Sequence, residues 1–367
     1  MTSTNRRTLL GATAALVTIA ATRDRSSAQD TATPAATPTA VDPMLPGDPA
    51  TLGAPAVPQA TTSLAADALS IAAATAPYAE YGTDAAPGVF PREIRHAMGV
   101  TTLEQAPVRV VVLDTGELDA MVQVGLIPVG TAEYSNAGLP TYIDQAVEGI
   151  TVIGLTAEPD LEAIAGLAPD LILSSKLRNE TIYDDLSRIA PTIFAESPGV
   201  TWKQNFKLYV QSVGRETEGA AVVARYVERA RALNAGLPES RPISTVVNIR
   251  ADQVRVYQRA SFSGVLLTDH GFPRDAPSNV DDFAAYPSVE ELGAYITADL
   301  VILATATPTD NPFADGILAG DVWSLLPAVQ FGTVLTVDAT AWIGGIGYGA
   351  AFLVQDDLAT QFGITLG

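Results

Sequence analysis

The residues of this chain best suited to chemistry are arginines and aromatics standing at the ends of apolar runs. Arg178 comes shortly after Leu171-Ile172-Leu173, Arg250 directly follows a run ending at Ile249, Tyr257 and Arg259 close the next short run, and Tyr134 comes just after Gly125–Gly130. A guanidinium is a rigid planar fork of donors that matches the paired oxygens of a carboxylate or catecholate, and a tyrosine adds a flat face with one polar tip. Trp202, Trp342 and Tyr348 are further candidates for pocket walls. This is the chemistry of holding a large polar anion. Each arginine would serve equally as a solvated or lobe-bridging salt link, and each aromatic as core packing.

Other chemistries find little support. The chain has no cysteine, which excludes disulfides, thiolate metal sites and cysteine nucleophiles, and implies that the protein is no lipoprotein. His96 and His270 are the only histidines, too few for a multi-histidine metal centre, so no metal ligands are assigned. Ser261-Phe262-Ser263-Gly264-Val265 lacks the nucleophile-elbow pattern, and Gly344-Gly345-Ile346-Gly347-Tyr348-Gly349 follows no strand in a dinucleotide-binding frame and reads as a tight loop. No catalytic residue is assigned, and the protein is read as a non-enzyme. A formal charge of −20 argues against nucleic acid as a partner.

Those side chains need elements to position them. Residues 1–28, with Arg6-Arg7 ahead of the apolar run Leu9–Ala21, read as a twin-arginine signal peptide; that run is too short to span a bilayer as a helix, so export to the periplasm or the exterior of the cell envelope is expected. An Ala/Thr/Pro-rich linker follows over 29–87, with no lysine or arginine between Ser26 and Pro91. From Gly88, apolar strands alternate with helical patterns, as in an α/β architecture with mostly parallel sheets. Strands are expected at Val108–Leu113, Gly125–Gly130, Leu171–Leu173, Ile243–Ile249, Arg255–Tyr257, Leu300–Leu303 and Val334–Val337, with a polar loop over Ser174–Asn179. Between two such sets lies Glu216–Gly236, about 31 Å of amphipathic helix. The expected order is an N-terminal lobe over 88–213, a backbone helix over 214–240 and a C-terminal lobe over 241–367, with a cleft between lobes as the default site.

Several strings, taken in order, resemble the iron-siderophore solute-binding proteins of ABC importers. They include Arg109–Asp119, Pro159–Ile164 with Ala168–Leu173, Ile182–Thr192, Ser261–Leu266, Pro287–Leu292, Ala298–Ile302 and Trp323–Val329, and the likeness runs from about Gly88 to Leu366. The resemblance implies two Rossmann-like lobes joined by a backbone helix with little hinge motion, the class III arrangement. It implies a ferric siderophore captured in the cleft, with Fe(III) already wrapped by its chelator and no covalent cofactor, and delivery to a membrane permease and its ATPase. Glu162 and Glu290 occupy the motif positions of glutamates that dock such proteins onto the permease, although an acid in a first helical turn also complements the helix dipole. A monomer is expected, meeting the membrane only through the permease or an uncleaved signal. The alternatives are a haem or cobalamin carrier of the same fold and a surface-tethered ligand sensor.

Overall fold

The computed structural model describes residues 71–134, 138–305 and 311–366. The expected signal peptide and the expected linker as far as residue 70 lie outside the described residues. The rest of that linker expectation is corrected. Ile71–Thr75 is a helical turn continuing into a 3-10 turn at Ala76–Ala79, and both pack on the folded body. Apolar Ile71 and Ala74 find partners there, so this Ala-rich piece buries surface that a free linker would leave in water.

Among the described residues, thirteen strands build three sheets. β1 (Arg92–His96) and β2 (Gly99–Leu103) form an antiparallel hairpin. β3 (Val110–Val112), β4 (Gly130–Glu133), β5 (Thr151–Leu155), β6 (Glu158–Pro159), β7 (Leu171–Ser175) and β8 (Thr192–Ala195) form a six-stranded sheet in the order β6-β5-β4-β3-β7-β8, with only β6 antiparallel. β9 (Ser244–Ile249), β10 (Val254–Tyr257), β11 (Ala284–Ala285), β12 (Leu300–Thr305) and β13 (Val334–Asp338) form the second, in the order β11-β10-β9-β12-β13. β9, β12 and β13 run parallel, and β10 is antiparallel to both β9 and β11. This is the expected α/β fold of two lobes. Every residue of β7 and of β9 is buried, as strands covered by helices on both faces must be.

One expected strand begins late. Gly125–Pro128 is a turn because Gly125, at φ +74, ends the preceding helix Thr115–Gln123 in the left-handed conformation, and pairing along β4 starts only beyond Pro128. The hairpin, β5 and β8 escaped the sequence reading. The hairpin is held by His96, whose Nδ1 accepts from the Phe194 amide (3.2 Å) while Nε2 meets the Thr101 hydroxyl (2.9 Å). Burial lowers its pKa to about 4, so the ring is a neutral structural pin.

The helix Glu216–Gly236 leads from the first lobe into the second and is fastened at both ends of that path. Near its start Glu216 pairs with the fully buried Arg92 guanidinium of β1. Farther along, Arg229 binds Gln355 and Asp356 on the last helix, Tyr348–Gln361. Beside it lies a buried ion pair: the Lys203 ammonium contacts both oxygens of Asp269, at 2.7 and 2.6 Å, and the Tyr226 hydroxyl donates to the same carboxylate. These three residues come from the helices Trp202–Ser212, Phe262–Asp269 and Glu216–Gly236.

The glycine run opens the last helix. Asp119 reaches from the helix Thr115–Gln123 to accept the Gly349 and Ala350 amides, at 2.9 and 3.1 Å, and the Tyr142 hydroxyl at 2.9 Å. A Cβ on Gly347 would collide with this carboxylate, and one on Gly349 would sit 2.8 Å from its Oδ2. The helix N-terminus that glycines make approachable is thus occupied by the protein's own anion.

Removing one member of the buried pair leaves the other without compensation. Asp269→Ala is expected to lower unfolding free energy by about 3–5 kcal/mol in urea titrations, and pairing Lys203→Met with Asp269→Leu to recover at least half of that loss. Equal losses in the single and double variants would show that the pair contributes nothing specific.

Candidate ligand-binding site

The C-terminal ends of the parallel strands in the first lobe carry Asp114, Tyr134 and the turn that follows β7. Ser174 and Ser175 finish β7, and the expected polar loop is a helical turn, Lys176–Asn179, that presents Arg178. Two side-chain bonds set that turn. The Ser174 hydroxyl donates to Asn179 Oδ1 (2.7 Å), and Asn179 Nδ2 donates to the Thr156 carbonyl (3.0 Å). Arg178 Nε then pairs with Asp114 Oδ2 at 2.8 Å, and its guanidinium carbon lies 5.3 Å from the centre of the Tyr134 ring. Burial works against the guanidinium charge, and Asp114 more than compensates.

Beneath this pair is a second acid. Glu117, in the first turn of the helix that Asp114 caps, is buried and accepts from the Tyr209 hydroxyl at 2.7 Å. Burial pushes its carboxyl up to about 7, with the neighbouring Asp114 charge adding to the effect. Arg178 is therefore a half-buried cation steadied from below by one ionised carboxylate and one that titrates near neutrality.

The second lobe supplies the facing wall. Arg250 leaves the end of β9 half exposed, and Tyr257 ends β10 buried. Burial raises the Tyr257 phenol, opposed by Arg255 and Arg250, while Tyr134 of the other lobe adds a small electrostatic push. Tyr257 thus lies within electrostatic reach of both arginines and of Tyr134, and its buried hydroxyl lacks a well-formed hydrogen bond. Arg255 stacks 5.6 Å over the Tyr286 ring, and Phe283 meets Tyr257 edge-on at 5.4 Å. Tyr134, Phe283 and Tyr286 are 51%, 43% and 56% exposed, leaving aromatic faces open to a ligand.

Among the residues picked from sequence, Arg178 stands by Tyr134, and Tyr257 lies within electrostatic reach of Tyr134 and Arg250. Arg259 stands apart, half exposed on the loop after β10, where it acts on the buried Arg274. Trp202, Trp342 and Tyr348 are not pocket walls in this structure. They are 1%, 0% and 0% exposed. Trp202 and Tyr348 pack edge-to-face at 4.8 Å in a cluster with Phe206, Tyr226 and Phe262 where the lobes meet, and Trp342 Nε1 is tied to Asp357 at 2.7 Å. Residue type suggested exposure; the surrounding helices, rich in apolar partners, decided for burial. Arg255 was missed although strand alternation could have found it, since positions 255 and 257 share one face of β10. Glu162 and Glu290 are both exposed, each in the first turn of its helix. Asp160 caps the first of these helices and Glu291 closes a capping box with Ser288 in the second, so neither cap requires the singled-out glutamate.

His270 is fully buried, and no group of three or more His, Asp or Glu among the described residues is placed to hold a metal ion. Ser261 is a helix cap, donating to the Gln258 carbonyl (2.6 Å) and accepting the Gly264 amide (3.0 Å). A Cβ on Gly264 would strike the Gln258 and Arg259 carbonyls.

Comparison with known proteins agrees with the two-lobed α/β fold. The chain is 32% identical to a probable siderophore-binding lipoprotein, YfiY, of Bacillus subtilis, over 74% of this chain and 87% of that protein. It is 30% identical to the Fe(3+)-citrate-binding protein YfmC of the same organism, over 68% and 79%. The crystal structure of Staphylococcus aureus SirA complexed with staphyloferrin B superposes with a TM-score of 0.67 at 30% identity, covering 74% of this chain and 99% of that one. The first of these overturns one expectation. A relative aligned over most of its length is named a lipoprotein, so the inference that this protein is not one, which rested on cysteine content alone, is withdrawn. The Periplasmic binding protein model matches residues 100–341, and with its two α/β lobes and connecting helix the chain belongs to that family.

Proposed function

We propose that this protein is the substrate-binding component of an ABC iron importer, and that it captures a ferric siderophore between its lobes by binding rather than by catalysis. The observation that carries the reading is the convergence of Arg178 and Tyr134 from one lobe with Arg250, Arg255 and Tyr257 from the other. Three guanidiniums with open aromatic faces suit an anionic chelate whose iron is already fully ligated and whose outer surface offers carboxylate, hydroxamate or catecholate oxygens. Relatives named for siderophore and Fe(3+)-citrate binding, and a neighbour crystallised with staphyloferrin B, support the same cargo. The exposed Glu162 and Glu290, one on each lobe and neither needed as a cap, are the acids that would meet the permease. The chain acts as a monomer in this reading.

Three outcomes follow. In calorimetric titrations with ferric citrate and ferric catecholates, Arg178→Ala and Arg255→Ala each weaken the best ligand about tenfold or more, as expected for lost charged hydrogen bonds. If neither substitution changes the affinity, the arginine-lined site is wrong. The affinity also depends on pH through Glu117. Below about pH 7 this carboxyl is protonated and leaves Arg178 more of its charge for the ligand; above it, the carboxylate competes. Raising pH from 6 to 8 should therefore weaken binding by about fivefold, and Glu117→Gln should remove that part of the dependence; an equal slope in both proteins counts against the coupling. Reversing both docking acids, Glu162→Lys with Glu290→Lys, should leave ligand affinity within about twofold while lowering importer-dependent iron uptake by about tenfold or more; normal uptake would exclude them from docking.

A further inference from the structure

The turns from Ile71 to Ala79 lie ahead of residue 100, where the family match begins, and they touch both lobes. The Ile71 amide donates to Asp281 of the second lobe at 3.0 Å. Ala74, 5% exposed, packs with Val200 at the start of the helical junction and with Ala260 of the second lobe. Tyr78 donates to Asn205 and Thr201 and accepts the Glu196 amide at 3.0 Å. The segment is therefore fastened at both ends, by a backbone amide on one side and a three-partner phenol on the other. Between it and the turn that carries Arg178 lies a cavity of about 480 Å³, walled by Ala74 and Pro77 on one side and by Lys176, Arg178 and Thr181 on the other. Arg178 belongs both to this cavity and to the cation–tyrosine contact with Tyr134.

We propose that Ile71–Ala79 is a strap that walls a subsite for a pendant arm of the chelate and so limits the size of siderophore that the site accepts, an inference that rests on the siderophore reading above. A volume of about 480 Å³ lies within the range of about 300–1,000 Å³ typical of small-molecule pockets, so it has room for an arm of a chelate. Charge does little of the selecting in this subsite, because Glu180 and Glu196 stand in the same wall as Lys176 and Arg178. Discrimination therefore falls to shape and to hydrogen bonds.

The test is calorimetry on the full chain with ferric citrate, a linear ferric trihydroxamate and a cyclic ferric triscatecholate. Two variants bear on the strap from opposite sides. Thr181→Trp narrows the cavity from an exposed position on the first lobe while leaving every strap residue unchanged, and Tyr78→Phe removes the phenol that fastens the strap. The expected result is that Thr181→Trp weakens the ligand preferred by the parent chain by about tenfold or more. Tyr78→Phe should narrow the preference between that ligand and the bulkier or smaller ones by a similar factor, about 1.4 kcal/mol. Parent binding that neither variant alters overturns the strap and leaves the siderophore function standing. Failure of the parent to bind any of the three overturns the functional reading and the subsite with it.

Discussion

An ammonium and a carboxylate buried together at the meeting point of three helices constrain everything above them. Lys203 and Asp269 lie in surroundings too apolar to solvate either charge alone, so the folded state tolerates them only at contact distance and with their remaining positions filled. Tyr226 takes one carboxylate lone pair, and the Trp202 and Tyr226 rings lie 5.5 and 5.9 Å from the ammonium. Such a pair adds little net stability compared with apolar side chains of the same volume. What it fixes is geometry, because a shift of one helix along another would expose a bare charge to hydrocarbon. The Trp202, Tyr226 and Phe262 helices are thereby held in one arrangement, and the Glu216–Gly236 helix, anchored by Arg92 at one end and by Arg229 farther along, carries that arrangement between the lobes.

The ligand-facing groups inherit their positions from this frame. Tyr134 and Tyr257 belong to different lobes, yet they come within electrostatic reach of each other. An open helix N-terminus attracts anions as arginines do, and the glycine run before Tyr348 has the composition for it. Asp119 removes that attraction by accepting the Gly349 and Ala350 amides itself.

Much of this was legible in the residues. Val110–Val112 and Leu171–Leu173 are continuous apolar runs because helices cover both faces of their sheet, and the Glu216–Gly236 helix has the same bounds in sequence and structure. Short or half-exposed strands were harder: β5 is largely exposed at Thr151 and Val152, and the β1–β2 hairpin alternates acids, bases and β-branched residues, so neither stands out as an apolar run. Tyr257 ends the antiparallel β10, beside Val246 rather than Ile249, so the rule of position after a parallel strand, which follows from topology, covers Arg178 and Arg250. It failed for Trp202, Trp342 and Tyr348 because aromatic type is silent about which side of a helix faces core. Asp114 and Glu117 were invisible as partners of Arg178 for a different reason: 64 and 61 residues separate them from it, and only the β3–β7 pairing brings those strand ends together.

The acids around the arginines also resolve an apparent conflict in charge. A chain with formal charge −20 repels an anionic chelate at long range, but at physiological ionic strength that repulsion is screened beyond about 8 Å, so capture is decided by groups within the cleft. There the Asp114 carboxylate does two opposed things. It holds the Arg178 fork by one nitrogen, so that little side-chain freedom is lost when a ligand arrives, and it offsets part of the attraction the fork exerts. A carrier has to release what it binds, and an unopposed buried cation would make release slow. Pairing Arg178 with an acid of its own gives orientation without excessive affinity, which is the balance a delivery protein requires.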